Sequence, residues 1–568
     1  MTASRQIQLM RRFIVAPRWL QILIVVVLAL GIVFRFINLN GKVYSQQEIY
    51  TSLRIAGYAT TVQLQQEVFN GRVISKETFT KYQFLFQKNA NHTSKSFTQV
   101  EAPQYPPFYY LVARLWTWFF GNSVPAIRIL SAVVSLLVFP SLYWLCRELF
   151  KVPLSLPGIA IALVAVSPIH LIFAQQAQAH VLWSVTILLS SAALLRALRL
   201  ESTRQKQQFR IYNWGIYAAV LTIGFYTFIS TFFVALSQGI YIIKFARENK
   251  IVKFYLLASL TAFLAFLPWL IVILTNLHPF PSSYEFLSPI LLIPSLLRQF
   301  QNIFCNLNGD DNPFFYLTVL FLIVIISFSI NFLYRTTHEK VWFFLIISIV
   351  IPVLFWLGLY FLCGLQSLEP VYLLPSYFSV QITVAYLFST QLYNGVFWRR
   401  TIWQSILILV FAIEVISCVV NFQTPTWGSE YFHYGYPQIA KIINQSSYPL
   451  LISDNYNDNY EKLLSLSYLL QPKVRLQLVK FKSIPKIYPG FKNIFLFNPS
   501  PTLKKEIEKK YQSQAKIVYK NQHTSLWKLV KPSIRKNPQS LNTLMEGRIG
   551  ILGSSLRWSQ YLQFRIAK

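Results

Sequence analysis

Charge is what this sequence has least of. Only 13% of its 568 residues are Asp, Glu, Lys or Arg, against about 25% in a typical soluble domain, which argues against a purely soluble chain. Four cysteines in this length exclude a disulfide-dense scaffold. Seven histidines are present, and His92, His278 and His338 lack the spacing of metal ligands. No metal and no cofactor are expected. Acidic residues number 20 against 52 Lys and Arg, a formal net charge of +32. The abundant classes are hydrophobic, at 54%, and aromatic, at 16%, with a mean hydropathy of +0.42. Disorder is excluded on that ground, because low hydrophobicity is what keeps chains unfolded. The positive excess raises nucleic acid as a partner, yet no binding motif of a recognised kind is present, and none is expected.

Crossing the hydrocarbon layer takes about 20 mostly apolar residues. Such runs lie near 20–37, 125–147, 154–173, 178–199, 212–228, 230–245, 254–275, 314–334, 341–362, 371–391 and 402–421, about eleven crossings. The first follows Arg5, Arg11, Arg12 and Arg18 without a small-residue cleavage site, and reads as a retained anchor. The pair within 212–245 is long for one span and short for two. With the N-terminus cytoplasmic, the inner loops carry Arg147 and Lys151, then Arg196 to Arg210, Lys244 to Lys253, Arg335 and Lys340, and Arg399 and Arg400. The short outer loops carry no Lys or Arg, which is the positive-inside pattern. The expectation is a multi-pass protein of the plasma (inner) membrane with its C-terminal part outside.

The chain then divides into a cytoplasmic start and first span (1–37), an outer loop with interfacial helices (38–124), a bundle (125–421), a small outer α/β domain (422–531) and a basic, loosely ordered tail (532–568). In the outer loop, 49–69 and 106–120 are amphipathic, and the second is laid along the membrane surface. In the C-terminal domain, strands are expected at 449–454, 473–481 and 493–497, helices at 459–470 and 501–512, and a hairpin from 517–519 and 525–530. Residues 431–568 hold 22 Lys and Arg against six Asp and Glu. That charge is either a solvated surface or a contact for anionic lipid or glycan phosphate.

Four polar clusters fall at the outer ends of spans. Tyr44-Ser45-Gln46-Gln47-Glu48-Ile49-Tyr50 follows the first run, where a half-buried carboxyl is a candidate base. Glu101 to Tyr110 includes Tyr105, Pro106, Pro107 and Tyr109, and its prolines suit a helix start. Ser167 to His180 includes His170, Gln175, Gln176, Gln178 and His180, and polar groups at membrane depth usually face a cavity. The last, Gln366 to Pro375, includes Glu369 and Tyr372.

In this order the clusters resemble GT-C glycosyltransferases of the dolichyl-phosphate-mannose protein mannosyltransferase and bacterial aminoarabinose transferase type, over roughly residues 20–430. The counterparts of the family's W-x-D-E, H-P-P-L-Y-Y, A-Q-E-A-R-x-Y and R-Y-L-x-P segments are Gln47-Glu48, Tyr105 to Tyr110, Ala174 to His180 and Val371 to Pro375. The resemblance implies a GT-C-like polytopic helical fold and inverting hexosyl transfer. The sugar would pass from a polyprenyl phosphate to a lipid, glycan or protein acceptor at the outer face. It also implies that Glu48 and Gln47 stand at the catalytic positions, and that Tyr105, Pro106, Pro107, Tyr109, Gln176, Gln178, His180, Glu369 and Tyr372 bind substrate. This chain departs from the family pattern. Gln47 replaces the basic Asp, Gln176 and Gln178 replace Glu and Arg in the turn, and Val371 replaces an Arg. An amide accepts no proton near neutral pH, so Glu48 is the acid left for the base role. Lys42, Arg54, Arg298 and the Asp310-Asp311 pair are further charged candidates, and Cys305 and Cys363 are open to pairing. The alternative is a non-catalytic relative that binds lipid-linked sugar or a partner transferase.

Overall fold

The computed structural model describes residues 17–56, 65, 67–81, 105–201, 207–246, 248–276, 289–306, 314–363, 370–393, 395–427, 435–456, 459–521 and 524–530. The elements begin with α1 (Arg18–Phe36), α2 (Gln46–Ala56), β1 (Asn70–Ser75), α3 (Lys76–Thr80) and α4 (Phe108–Phe120). The bundle continues through α5 (Val124–Leu136), α6 (Val138–Leu149), α7 (Leu156–Ala165), α8 (Pro168–Gln175), α9 (His180–Glu201), α10 (Gln207–Thr227) and α11 (Thr231–Phe245). Then come α12 (Asn249–Thr275), α13 (Pro289–Gln301), α14 (Phe314–Thr336), α15 (Glu339–Cys363), α16 (Leu374–Gln391) and α17 (Phe397–Gln423). The C-terminal part adds α18 (Tyr436–Gln445), β2 (Pro449–Asp454), α19 (Asn459–Ser467), β3 (Arg475–Val479), β4 (Asn493–Phe497), α20 (Pro501–Lys510), β5 (Gln514–Lys520) and β6 (Ser525–Val530).

The protein is a polytopic helical membrane protein. Among the described residues, eight helical segments are long and apolar enough to cross, and a bent pair makes a ninth. Each of the eleven expected runs is helical. The two runs outside the nine are α10 and α11, the pair whose lengths fitted least well; α11 has 15 residues.

The bent pair is α7 and α8, which meet at 61°. Its cause is local. Pro168 has no amide, so the carbonyl four residues back loses its helical donor. Arg35, 1% exposed on α1, takes over that duty: Nη2 donates to Val164 O at 3.3 Å and Nη1 to Ala165 O at 2.5 Å. Gly31 makes the approach possible, because a Cβ there would stand 2.5 Å from the Ala165 carbonyl oxygen. The bend delivers α8, buried throughout, to the turn that carries Gln176 and Gln178.

The expected strands and helices of the C-terminal part form, and the sheet order is β1-β3-β2-β4-β6-β5. The central β3-β2-β4 set is parallel and the flanks are antiparallel. Sequence patterning did not assign β1, which comes from the loop after α1 and pairs with β3 at the sheet edge. One sheet face packs Leu451, Leu476 and Phe495 against α18, α19 and residues of that first loop, including Tyr44, Ile49, Phe69 and Phe79. The other face packs Leu450, Ile452 and Leu496 against Leu503 and Ile507 of α20. Helix α4 is two-sided: Tyr109, Ala113 and Thr117 are buried, while Leu115, Trp118 and Phe119 are exposed.

Phe79 meets Tyr460 of α19 edge-on at 5.8 Å, and both are buried. Phe79→Ala should therefore cost about 3–5 kcal/mol and loosen the joint between the first loop and the sheet. The check is limited proteolysis with thermal unfolding of purified protein. A melting curve and cleavage pattern like wild type would show that the two segments are stable apart.

Candidate functional site

The site begins with a helix start. Ser45 and Glu48 form a capping box: Ser45 Oγ accepts from the Glu48 amide at 3.2 Å, and Glu48 Oε2 accepts from the Ser45 amide at 3.0 Å. This fixes the Glu48 side chain at the entrance of α2. Arg128 of α5 then closes on it with two bonds, Nε to Oε1 at 2.7 Å and Nη2 to Oε2 at 2.8 Å. Both side chains are 0% exposed. Ala177 N donates to Glu48 Oε1 at 3.0 Å, which pins the turn before α9 to the same carboxylate. Arg128 also donates to the carbonyls of Leu39, Lys42 and Val43, so the loop after α1 wraps around the guanidinium. Trp427 completes the shell, with its ring 5.2 Å from that guanidinium and its indole nitrogen donating to Val43 O.

Beside this clasp lies an amide pair. Gln178 Nε2 donates to Gln47 Oε1 at 2.8 Å. Gln178 Oε1 and His180 Nδ1 are buried without a hydrogen-bond partner. The ring of His180 meets Phe228 at 5.8 Å, and Phe228 also meets Tyr105 at 5.8 Å and Tyr372 at 5.7 Å. Thus residues from all four sequence clusters converge: Gln47, Tyr105, Gln178 and His180, and Tyr372. Arg54, two turns after Gln47 on α2, donates to Tyr105 O at 2.9 Å and lies 4.7 Å from the Tyr110 ring.

Several expected residues do not face this junction. Glu48 is sealed rather than poised at a hollow; four donors occupy its two oxygens, and taking up a substrate proton would break the pair with Arg128. Tyr109 is a core residue whose hydroxyl pairs with Ser131 Oγ at 2.9 Å. Pro106 and Gln176 are buried, and Pro107 is half-buried ahead of α4. Arg298 sits half-buried in α13. Cys305 is buried, and the side chain of Cys363 lies outside the described residues. Glu369, Glu101, Asp310, Asp311, His92 and His278 lie outside the described residues. No group of His, Cys, Asp and Glu suited to a metal is found among the described residues. The residue that sequence reasoning missed is Arg128. Its signal was available, since an arginine within an apolar run needs a buried partner.

Lys42 follows α1 and is 6% exposed, with Nζ 4.5 Å from the Trp427 ring. Burial first, and then the Arg128 charge, lower its pKa to about 8.

The sequence model of the dolichyl-phosphate-mannose-protein mannosyltransferase family matches residues 104–272. No curated protein matches the sequence. Among solved structures, ArnT from Cupriavidus metallidurans bound to undecaprenyl phosphate is similar at a TM-score of 0.50 and 12% identity, over 89% of this chain and 97% of that one. The Archaeoglobus fulgidus oligosaccharyltransferase tethered to an acceptor peptide gives a TM-score of 0.46 and 11% identity, over 80% of this chain and 64% of that one. The fold is that of the GT-C membrane glycosyltransferases. The segment matched by the mannosyltransferase family model runs from just before α4 into α12.

Removing one partner of a buried ion pair costs about 3–5 kcal/mol, because the other charge is left uncompensated. Glu48→Gln and Arg128→Met should each lower the melting temperature strongly, and the double variant by less than their sum. A double-mutant cycle on detergent-purified protein measures this; additive effects would deny the coupling. A second expectation concerns pH. The folded-state pKa of Lys42 lies below its unfolded value, so its stability contribution is full above about pH 10.5 and is lost as pH falls through about 8. Lys42→Met should therefore flatten the rise in melting temperature that wild type shows between those values.

Proposed function

We propose that this protein is a membrane glycosyltransferase that moves a hexosyl group from a polyprenyl-phosphate sugar to a lipid, glycan or protein acceptor at the outer face. The observation that carries this reading is the clasp of Glu48 on both Arg128 and Ala177. It locks the start of α2 to the turn before α9 and so holds Gln47, Gln178 and His180 together. Preorganised polar groups of this kind are what a transfer reaction requires. The similar ArnT structure contains undecaprenyl phosphate, which supports a lipid-linked donor.

Orientation is part of the proposal. Helix α9 runs from His180 at the site to Arg199 at its other end, about 30 Å away at 1.5 Å per residue. At that far end Arg199 pairs with Glu148, Arg210 with Glu201 and Lys244 with Glu339. The positive-inside rule puts that end in the cytoplasm, and the site and the C-terminal sheet on the outer side of the plasma membrane.

In the reaction, the acceptor hydroxyl oxygen attacks the anomeric carbon from the face opposite the phosphate. The bond from that carbon to the phosphate oxygen breaks, its electron pair leaves with the polyprenyl phosphate, and the configuration inverts. The hydroxyl proton needs an acceptor. Glu48 is committed to Arg128, and Gln47 is an amide. His180, with Nδ1 unpartnered, takes the role of base, while Gln47 and Gln178 orient the sugar. Tyr105 and Tyr372 flank it, and Arg54 lies nearest for the phosphate.

A second reading rests on the Gln47–Gln178 pair itself. Two amides occupy positions where the resembling family has charged groups, and such a site suits binding of a lipid-linked sugar without turnover.

The test is incubation of purified protein with a radiolabelled polyprenyl-phosphate hexose and a membrane extract. Wild type should yield labelled acceptor, and His180→Gln should cut transfer by about a hundred-fold or more while donor binding persists. Gln178→Ala should weaken donor binding. Donor binding with no transfer by wild type would favour the second reading, and absence of donor binding would overturn both.

A further inference from the structure

The C-terminal sheet holds a second cluster that the membrane site does not use. β2 and β4 are parallel neighbours, yet the helices that follow them lie on opposite faces. α19 covers one face and α20 the other. Where chain connections diverge in this way, a crevice opens beyond the carboxyl ends of the strands, and in open α/β sheets it is there that ligands bind. Asp454 ends β2, Asn459 begins α19, and Asn498 and Ser500 follow β4.

These residues are built to offer polar atoms. Asp454 and Asn459 are 0% and 1% exposed. Asp454 Oδ1 accepts from the Ser500 amide at 3.3 Å, and Asn459 Nδ2 donates to the carbonyls of Asp454 and Asn498. Their remaining atoms, Asp454 Oδ2 and Asn459 Oδ1, are buried without partners, as is Asn498 Nδ2. Asn498 adopts a left-handed backbone, φ 41°, and its Oδ1 accepts from the Ser525 amide at 2.6 Å. Two acceptors and one donor therefore lie buried and unpartnered at the carboxyl ends of β2 and β4. Two helix N-termini meet there, which tolerates the Asp454 carboxylate.

On the β3 side of the same rim, Tyr456 and Phe481 stack at 5.5 Å and 16°. They remain 37% and 42% exposed. The Phe481 amide donates to Asn455 Oδ1 at 2.6 Å, which ties the rim beyond β3 to the residue after Asp454.

The geometry points to a saccharide-binding crevice at the carboxyl edge of the C-terminal sheet, with Tyr456 and Phe481 as the stacking platform and Asn459, Asn498 and Asp454 as hydroxyl partners. Two acceptors receive two O–H groups of a vicinal diol, and the amide donor meets a third oxygen. The aromatic faces take the C–H side of a pyranose ring. A phosphate ligand fits poorly, because Asp454 would repel it. The site is separate from the membrane junction, and the inference stands whether or not the chain transfers sugar.

The test uses full-length protein in lipid nanodiscs, free of sugar-based detergent. Saturation-transfer NMR is run with free oligosaccharides of mannose, glucose, galactose and N-acetylglucosamine. At least one should bind, with competition by unlabelled sugar. Tyr456→Ala and Phe481→Ala, at exposed positions that leave the fold intact, should each weaken it about ten-fold. Asn498→Ala should do the same, and Gln178→Ala at the membrane junction should leave it unchanged. Absence of binding by any of the sugars would overturn the inference. So would binding that survives both ring substitutions, or binding lost only in Gln178→Ala.

Discussion

A single buried ion pair organises the outer end of this molecule. Glu48 and Arg128 are both withdrawn from water, a state that costs several kcal/mol per ion unless geometry and further hydrogen bonds repay it. Here they do. The carboxylate receives Arg128 twice, its own helix cap and the Ala177 amide. The guanidinium reaches three carbonyls of the loop after α1. Three separated stretches of chain, near 45, 128 and 177, are thereby held in one geometry. The sheet leans on the same knot, since Ser465 Oγ of α19 donates to the carbonyl of Tyr44.

That arrangement divides labour between adjacent residues. Glu48 is held by Arg128, whereas Gln47, one residue earlier and partly exposed, accepts a hydrogen bond from Gln178. On an α-helix neighbouring residues point about 100° apart, so a single-residue step separates scaffold from site. The same logic holds at the broken helix. Arg35 repairs the carbonyls that Pro168 leaves open, and the resulting bend brings Gln178 and His180 to the junction.

The saccharide crevice inferred in the C-terminal sheet extends this picture without depending on it. A transferase with a lipid-linked donor at the membrane and a glycan held by the sheet would bring both ends of its chemistry to one side. The first loop's β1 and Phe79 join the sheet to the clasp, so the two sites are mechanically connected through packed elements.

Much of this was legible in residue order. Apolar runs of about 20 residues marked the helices, and the distribution of Lys and Arg proposed their direction. Alternation marked β3, because a strand's side chains alternate faces whatever it pairs with, and short apolar runs beside turn residues marked β2, β4 and the hairpin of β5 and β6. The four polar clusters were recognisable as short motifs. What patterning missed was β1, whose N-G-R-V-I-S run has no clear alternation and becomes a strand only because β3 offers an edge. It also missed the state of Glu48. Sequence shows that an acid survives beside Gln47 and that an arginine interrupts an apolar run at position 128, 80 residues away. Only the tertiary structure brings the two together, because contacts between distant segments are set by packing rather than by local preference. That meeting seals Glu48 against Arg128, while His180 Nδ1 stays buried without a hydrogen-bond partner.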